Sequence, residues 1–173
     1  MTTSIIRSSH SVRAGHDLHC QLVDTTADLH AHLAVRRAVF VAEQSVFAES
    51  DTDSHDVDPA TIHVLGLVDG VPAGAVRLFP LDPTEPRAGW QGDRLAVLPE
   101  FRTSGLGAPL VRFAVATAGA LGGRTMLAHI QPANRTFFRR LGWTQLGGTE
   151  IYVGLPHLLM EIDLHTHPDD QNP

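Results

Sequence analysis

Residues 95–107 read L-A-V-L-P-E-F-R-T-S-G-L-G, and this stretch decides the fold. Leu95, Ala96, Val97 and Leu98 form a short apolar run of the kind that makes a buried strand. Pro99 ends it, having no N–H to give to a sheet ladder. After Arg102, Gly105 and Gly107 comes A-P-L-V-R-F-A-V-A-T-A-G-A-L, which is helical in composition. A helix starting near Gly105 or Leu106 puts Pro109 in its first turn, where a missing N–H is no loss. Strand, glycine turn and helix N-terminus together form a phosphate site. The free N–H groups and the helix dipole point at the anion, glycines let the backbone approach, and Arg102 adds a full charge. A P-loop is excluded, because no Lys-Ser or Lys-Thr follows the glycines. A dinucleotide fingerprint is excluded too, with Leu110 where its third glycine belongs.

The rest of the chain frames this segment. At 173 residues, 43% hydrophobic and 18% charged, it can bury one core, so residues 18–164 are expected to form a single domain. Residues 1–17 are polar and aperiodic and read as a mobile arm, and residues 165–173 as a disordered tail. No apolar run nears the ~20 residues that span a bilayer, and no h-region opens the chain, so neither a membrane partner nor a signal peptide is expected. Cys20 is the one cysteine, which rules out an internal disulfide and makes a reducing cytoplasm the natural setting. The formal charge of −6 argues against nucleic acid as the main partner. Every basic residue is an arginine; seven lie between Arg94 and Arg140 against one acid, Glu100. Six acids and no base lie between Glu43 and Asp58. A basic half suits a polyphosphate cofactor and an acidic segment suits a cationic amine, unless both are simply solvated surfaces.

In order, His19 to Val23 reads as a strand. From Ala27 to Gln44, Leu29, Leu33, Arg36, Val39 and Phe40 recur at helical spacing behind a Thr25 or Thr26 cap. Residues 62–68 and 73–79 are strands joined through Asp69-Gly70, a hairpin signal. Trp90 leads into the central strand, and the long helix ends at Gly122-Gly123. A strand at 125–130, a short helix at 132–141 and strand candidates at 143–145, 149–153 and 157–163 complete the domain.

R-x-x-G-x-G at Arg102 to Gly107 resembles the acyl-CoA signature of the GNAT N-acetyltransferase superfamily. N-R-T-F-F-R-R-L-G-W from Asn134 resembles that superfamily's N-x-x-x-F-Y-x-x-L-G-F segment. R-R-A-V-F-V-A-E-Q at Arg36 to Gln44 and G-L-P-H-L-L-M at Gly154 to Met160 are similar to segments of the ElaA-like and YjcF-like members. W-Q-G-D-R-L-A-V at Trp90 to Val97 is similar to the nitrogen-starvation N-acetyltransferase subgroup. The resemblance implies an α/β (α+β) GNAT fold: a mixed, mostly antiparallel central sheet flanked by helices and splayed at the central strand. It implies acetyl-CoA as cosubstrate, an N-acetyltransferase activity and a small-molecule amine as acceptor.

It also implies the site. Main-chain groups of Leu95, Ala96 and Val97 would bond the pantetheine amides, and a backbone N–H near Val97 would polarise the thioester carbonyl. Arg102, Thr103, Ser104, Gly105, Leu106, Gly107 and Ala108 would hold the pyrophosphate. Asn134 would bond the pantetheine, or else cap its helix, and Phe137 and Phe138 would lie against it, or else simply fill core.

An amine arrives as an ammonium with a pKa near ~10, so presenting it neutral at pH 7 costs about 4 kcal/mol and calls for a proton acceptor. Glu43, His63, His129 and His157 are candidates, with Glu43 and His157 first because they lie in the ElaA-like segments. Phe138 stands where many GNATs carry a tyrosine that protonates the leaving thiolate. Tyr152, Cys20 or water is left for that role. The histidine spacings, His30 with His32 or His16 and His19 with Cys20, fit no zinc site, and no metal is expected. Two other readings stay open: a non-catalytic acyl-CoA sensor or accessory protein, motivated by Phe138, and a longer-chain acyltransferase of autoinducer-synthase type. The acceptor's identity and a homodimer are left open.

Overall fold

The computed structural model describes residues 6–13 and 15–165. Eight strands form one sheet in the order β1-β2-β3-β4-β5-β6-β8-β7. They are β1 (Ser8–Arg13), β2 (His16–Leu22), β3 (Ile62–Val68), β4 (Val71–Pro80), β5 (Gly89–Val97), β6 (Thr125–Ile130), β7 (Thr144–Tyr152) and β8 (Leu155–Asp163). All neighbours pair antiparallel except β5 and β6. Helices α1 (Thr26–Arg36), α2 (Gly107–Ala120) and α3 (Arg135–Arg140) flank the sheet. Among the described residues no helix is long and apolar enough to cross a membrane.

Two apolar clusters separate the faces of the sheet. Val35 and Val39 pack on Ala75 and Ala96, whereas Leu106, Leu110, Val111, Phe113 and Ala114 pack on Val64, Val76, Leu78, Met126 and Met160. Gly74 admits α2 closely: a Cβ there would lie 2.6 Å from a Leu110 methyl.

The feature that positions the site is a gap in the sheet. β5 pairs with β6 only from Gly89 to Gln91, so the C-terminal halves of the two strands part. On its other edge β5 changes register against β4 between Ala75 and Arg77, where Arg94 takes φ +52. Such a bulge adds a residue to one strand and bends it. The splay expected of the central strand thus begins just before the Arg94 bulge.

The structure corrects three readings. The segment read as an aperiodic arm carries β1 and the start of β2, in register from Ser8↔Gln21 to Arg13↔His16. Main-chain pairing supplies that ladder, so no alternating apolar pattern announces it. The helix read to Gln44 changes type: Arg37–Glu43 is π-helical, with Gln44 N–H donating to the Val39 carbonyl at 2.9 Å. The two strand candidates after Trp143 are one strand, β7, with a register shift between Leu146 and Thr149. Of the expected tail, only His165 lies among the described residues.

Candidate active site

The glycine turn follows the strand as the spacing implies. Pro99–Ser104 forms a short 3₁₀ turn, Gly105 takes φ +86, and α2 begins at Gly107. Only glycine adopts that left-handed conformation without strain. Ser104 is turned inward, its hydroxyl donating to the Phe101 carbonyl at 2.6 Å and accepting from Leu106 N–H at 3.3 Å. Leu106 is fully buried, so it and Ser104 serve the loop through their main chain. Pro109 has no N–H, which leaves the N–H groups of Gly107 and Ala108 as the open donors of the first turn.

Arg102 is exposed beside this helix end, but its charge is already engaged. It donates to both carboxylate oxygens of Glu43, at 2.7 and 2.6 Å, and through Nε to the Val97 carbonyl at 3.1 Å. Its hydrogen bonds hold the Glu43 carboxyl below its ordinary pKa. The two residues read separately, one as base and one as phosphate ligand, are thus brought together.

At the strand end, Leu98 N–H donates to the Ala73 carbonyl of the neighbouring strand at 2.8 Å. Main-chain groups alternate between the two edges of a strand, so the Val97 N–H faces the splay. Ala96 is buried on the α1 face, and Leu95 lines the opening.

A cavity of about 140 Å³ runs through the gap and is lined from both faces of the sheet. On the α2 side its wall is apolar: Val76, Val111, Ala114, Met126, Ala128 and Phe138. Phe138 belongs to the core, edge-on to Trp143 with ring centroids 5.4 Å apart, and it also lines the cavity. Phe137 packs near Gly107, where a Cβ would meet its ring at 3.5 Å. Asn134 occupies the cap position of α3 with no side-chain cap bond and lines the cavity instead.

On the opposite side stand His129, Tyr152 and His157. His157 is buried and its Nδ1 lies 2.9 Å from the Leu155 carbonyl. A carbonyl can only accept, so Nδ1 carries the proton and Nε2 of the neutral ring keeps a lone pair. Tyr152 stands edge-on to His157 at 5.5 Å and stacks on His129 at 4.0 Å. Its hydroxyl accepts a long 3.5 Å bond from Gln91. His129 Nε2 meets Glu150 at 3.0 Å, and its buried Nδ1 has no partner among the described residues. The other two candidates are elsewhere. Cys20 is in the core, where burial pushes its thiol up to about 12. His63 is 3.3 Å from His32, beside Arg36 and Asp56, and burial lowers its pKa.

The acidic segment does something composition did not reveal. Asp51 and Asp56 bind the fully buried Arg36 at 2.7 and 2.6 Å. Asp53 and Asp93 bind the fully buried Arg77 at 2.6 and 2.7 Å. Arg94 bonds the Asp51 carbonyl and lies 4.7 Å over the Phe47 ring. Of the acidic segment, Asp51, Asp53 and Asp56 are thus engaged by arginines and anchor the loop that carries Val46 and Phe47 into the cavity wall, while Glu49 stays exposed. The available signal was an arginine at each of two core positions, one among apolar helix residues and one between Val76 and Leu78. Among the described residues no group of three histidine, cysteine or acidic side chains could hold a metal.

Known proteins resemble this chain in sequence or in fold. YyaT of Bacillus subtilis is 28% identical over 149 residues, covering 85% of this chain and 97% of that protein. Escherichia coli ElaA superposes with a TM-score of 0.72 at 21% identity, covering 83% of this chain and 98% of that one. BjaI, a CoA-dependent acyl-homoserine lactone synthase solved with SAM and isopentyl-CoA, superposes with a TM-score of 0.66 at 20% identity, over 80% of this chain and 77% of that one. Residues 29–143 match the acetyltransferase (GNAT) family, which takes in the splayed strand, the glycine turn and the Asn134 segment. The chain belongs to the GNAT acetyltransferase family.

Proposed function

We propose that the protein is a cytoplasmic N-acetyltransferase that moves an acetyl group from acetyl-CoA to the amine of a small molecule by direct attack. The observation that carries this reading is the cavity between the diverging β5 and β6, lined from both faces of the sheet, with Leu95, Asn134 and the His157 imidazole on its wall. The residues fit such a cosubstrate. Gly105, Gly107 and Ala108 offer main-chain N–H groups for a diphosphate, Arg102 a guanidinium, Asn134 an amide, and Leu95 to Val97 a strand edge unpaired toward β6. Bound there, acetyl-CoA would supply an activated acyl group: the C–N bond would form as C–S breaks, the electron pair would leave on sulfur, and the second proton shed by the nitrogen would balance the one the thiolate takes up.

The chain's own groups do the rest. Nε2 of His157 takes the proton that the incoming ammonium must lose. The Val97 N–H offers a donor to the carbonyl oxygen as it gains charge, a contribution of about 3 kcal/mol in comparable sites. Tyr152, edge-on to His157, is the hydroxyl available to return a proton to sulfur. Glu43 is assigned to Arg102 rather than to the amine. Thermal unfolding with acetyl-CoA tests the reading: saturating acetyl-CoA raises the Tm by several degrees, and no shift overturns it.

The apolar α2-side wall favours a second reading, a longer-chain acyl donor. Octanoyl-CoA giving a larger shift than acetyl-CoA would select it.

A further inference from the structure

On the acceptor side of the gap, the charged side chains of the wall are all spoken for. Asp93 and Arg94 are the charged lining residues. Asp93 accepts two bonds from Arg77, at 2.8 and 2.7 Å. Arg94 donates to the Asp51 carbonyl at 3.1 and 3.2 Å and to Asp53 at 3.3 Å, with Phe47 against its face. Glu150 lies outside this lining, half exposed, with one carboxylate oxygen 3.0 Å from His129 Nε2. The Gln44 and Gln131 amides bond each other across the mouth at 3.1 Å. What the wall offers a ligand is the apolar and aromatic surface of Phe40, Val46, Phe47 and Tyr152 beside the His157 nitrogen.

This inventory discriminates between amines. A polyamine brings a second ammonium and finds no uncommitted carboxylate in the lining, where Asp93 is held by Arg77. A free amino acid brings a carboxylate and finds no uncommitted guanidinium, and the chain has no lysine. A charge taken into such a wall without a partner is strongly disfavoured. We propose that the acceptor is a primary monoamine with an aromatic or apolar body and no second charge. The proposal rests on the acyl-transfer reading above. It narrows the acceptor to a chemical class, with Phe40 and Phe47 as its specificity surface.

The test is thiol release by the full chain with acetyl-CoA near neutral pH, comparing 2-phenylethylamine, spermidine and L-glutamate. The expected result is a kcat/KM for 2-phenylethylamine about tenfold or more above the other two. A rate with spermidine or glutamate that equals or exceeds it overturns the proposal. So does no turnover of 2-phenylethylamine by protein that acetyl-CoA stabilises. Absence of that stabilisation overturns the acyl-transfer reading itself, which keeps the two failures apart. Gln44→Glu adds a carboxylate to the wall and is expected to raise the spermidine-to-phenylethylamine ratio about fivefold or more. An unchanged ratio in folded Gln44→Glu protein counts against the proposal, and loss of an aromatic contact alone would not produce the rise.

Discussion

Glu43 and Arg102 grip each other through two hydrogen bonds of 2.6 and 2.7 Å, across 59 residues of sequence. The pair ties the end of the π-helical segment to the turn before α2. A diphosphate at that helix end competes with Glu43 for the same guanidinium fork. Arg102 and Glu43 are partly exposed, at 43% and 33%, so the pair itself is worth at most about 1 kcal/mol. Glu43→Gln is therefore expected to tighten coenzyme A binding by about two- to fivefold at low salt, and Arg102→Ala to weaken it. Titration calorimetry reads both. A weaker complex with Glu43→Gln would show that the carboxylate helps rather than obstructs.

His157 and Tyr152 are separable by kinetics. Replacing His157 with Gln removes the lone-pair nitrogen but keeps a polar side chain, and is expected to lower kcat by about 10²–10⁴. Tyr152→Phe keeps the ring stacked on His129 and removes only the hydroxyl. If that hydroxyl supplies the sulfur's proton, kcat falls while acetyl-CoA binding is unchanged; an unchanged kcat leaves water as the donor.

The Arg36–Arg77 network makes a prediction about stability. Arg77 is fully buried and holds Asp53 and Asp93, so Arg77→Ala takes both bonds from the buried Asp93 carboxylate and is expected to cost about 3–5 kcal/mol. Arg77→Met with Asp93→Leu removes charge from both sides and should cost less than the sum of the single changes. Urea midpoints decide, and strict additivity would mean that the two side chains act independently.

Acid weakens the fold through the same region. Burial, with His63 and Arg36 nearby, lowers His32 to about 3 from an ordinary 6.5, so the folded chain stays neutral there while the unfolded chain takes up a proton. The unfolded state binds more protons over that window, and stability falls as pH drops below 6.5. From pH 6.5 to 5 this one group contributes a loss of about 2 kcal/mol. Asp53 and Asp56, held low by Arg77 and Arg36 against the cost of burial, add to the loss only near and below the ordinary carboxylate range. Urea unfolding against pH reads the slope, and a His32→Gln chain that keeps the full slope would refute its assignment.

A single cap also has a measurable worth. Thr25 accepts the Asp28 N–H at 3.1 Å, and Thr25→Ala is expected to lower stability by about 1 kcal/mol. A change within error in the urea midpoint would place the start of α1 under tertiary control.

Local chemistry accounts for what the sequence made legible. Asp69-Gly70 turns β3 into β4, Pro99 and Gly105 separate strand from helix, and Thr25 starts α1, because each choice depends on neighbours a few residues away. Residues 62–68 and 125–130 form strands where apolar runs fall between turn residues. The glycine turn was readable for the same reason, being built from consecutive main-chain groups. What only tertiary structure decided are pairings between distant positions. Composition assigned the acids near Asp51 to solvent or to substrate, and folding spent them on arginines from a helix and two strands. Sequence resemblance placed Glu43 and Arg102 in two different jobs, and folding set them against each other. It also set His129 and His157 on the cavity wall and His63 beside His32 and the ion-pair cluster, since what a histidine faces depends on which strands lie beside it. No local rule carries that information.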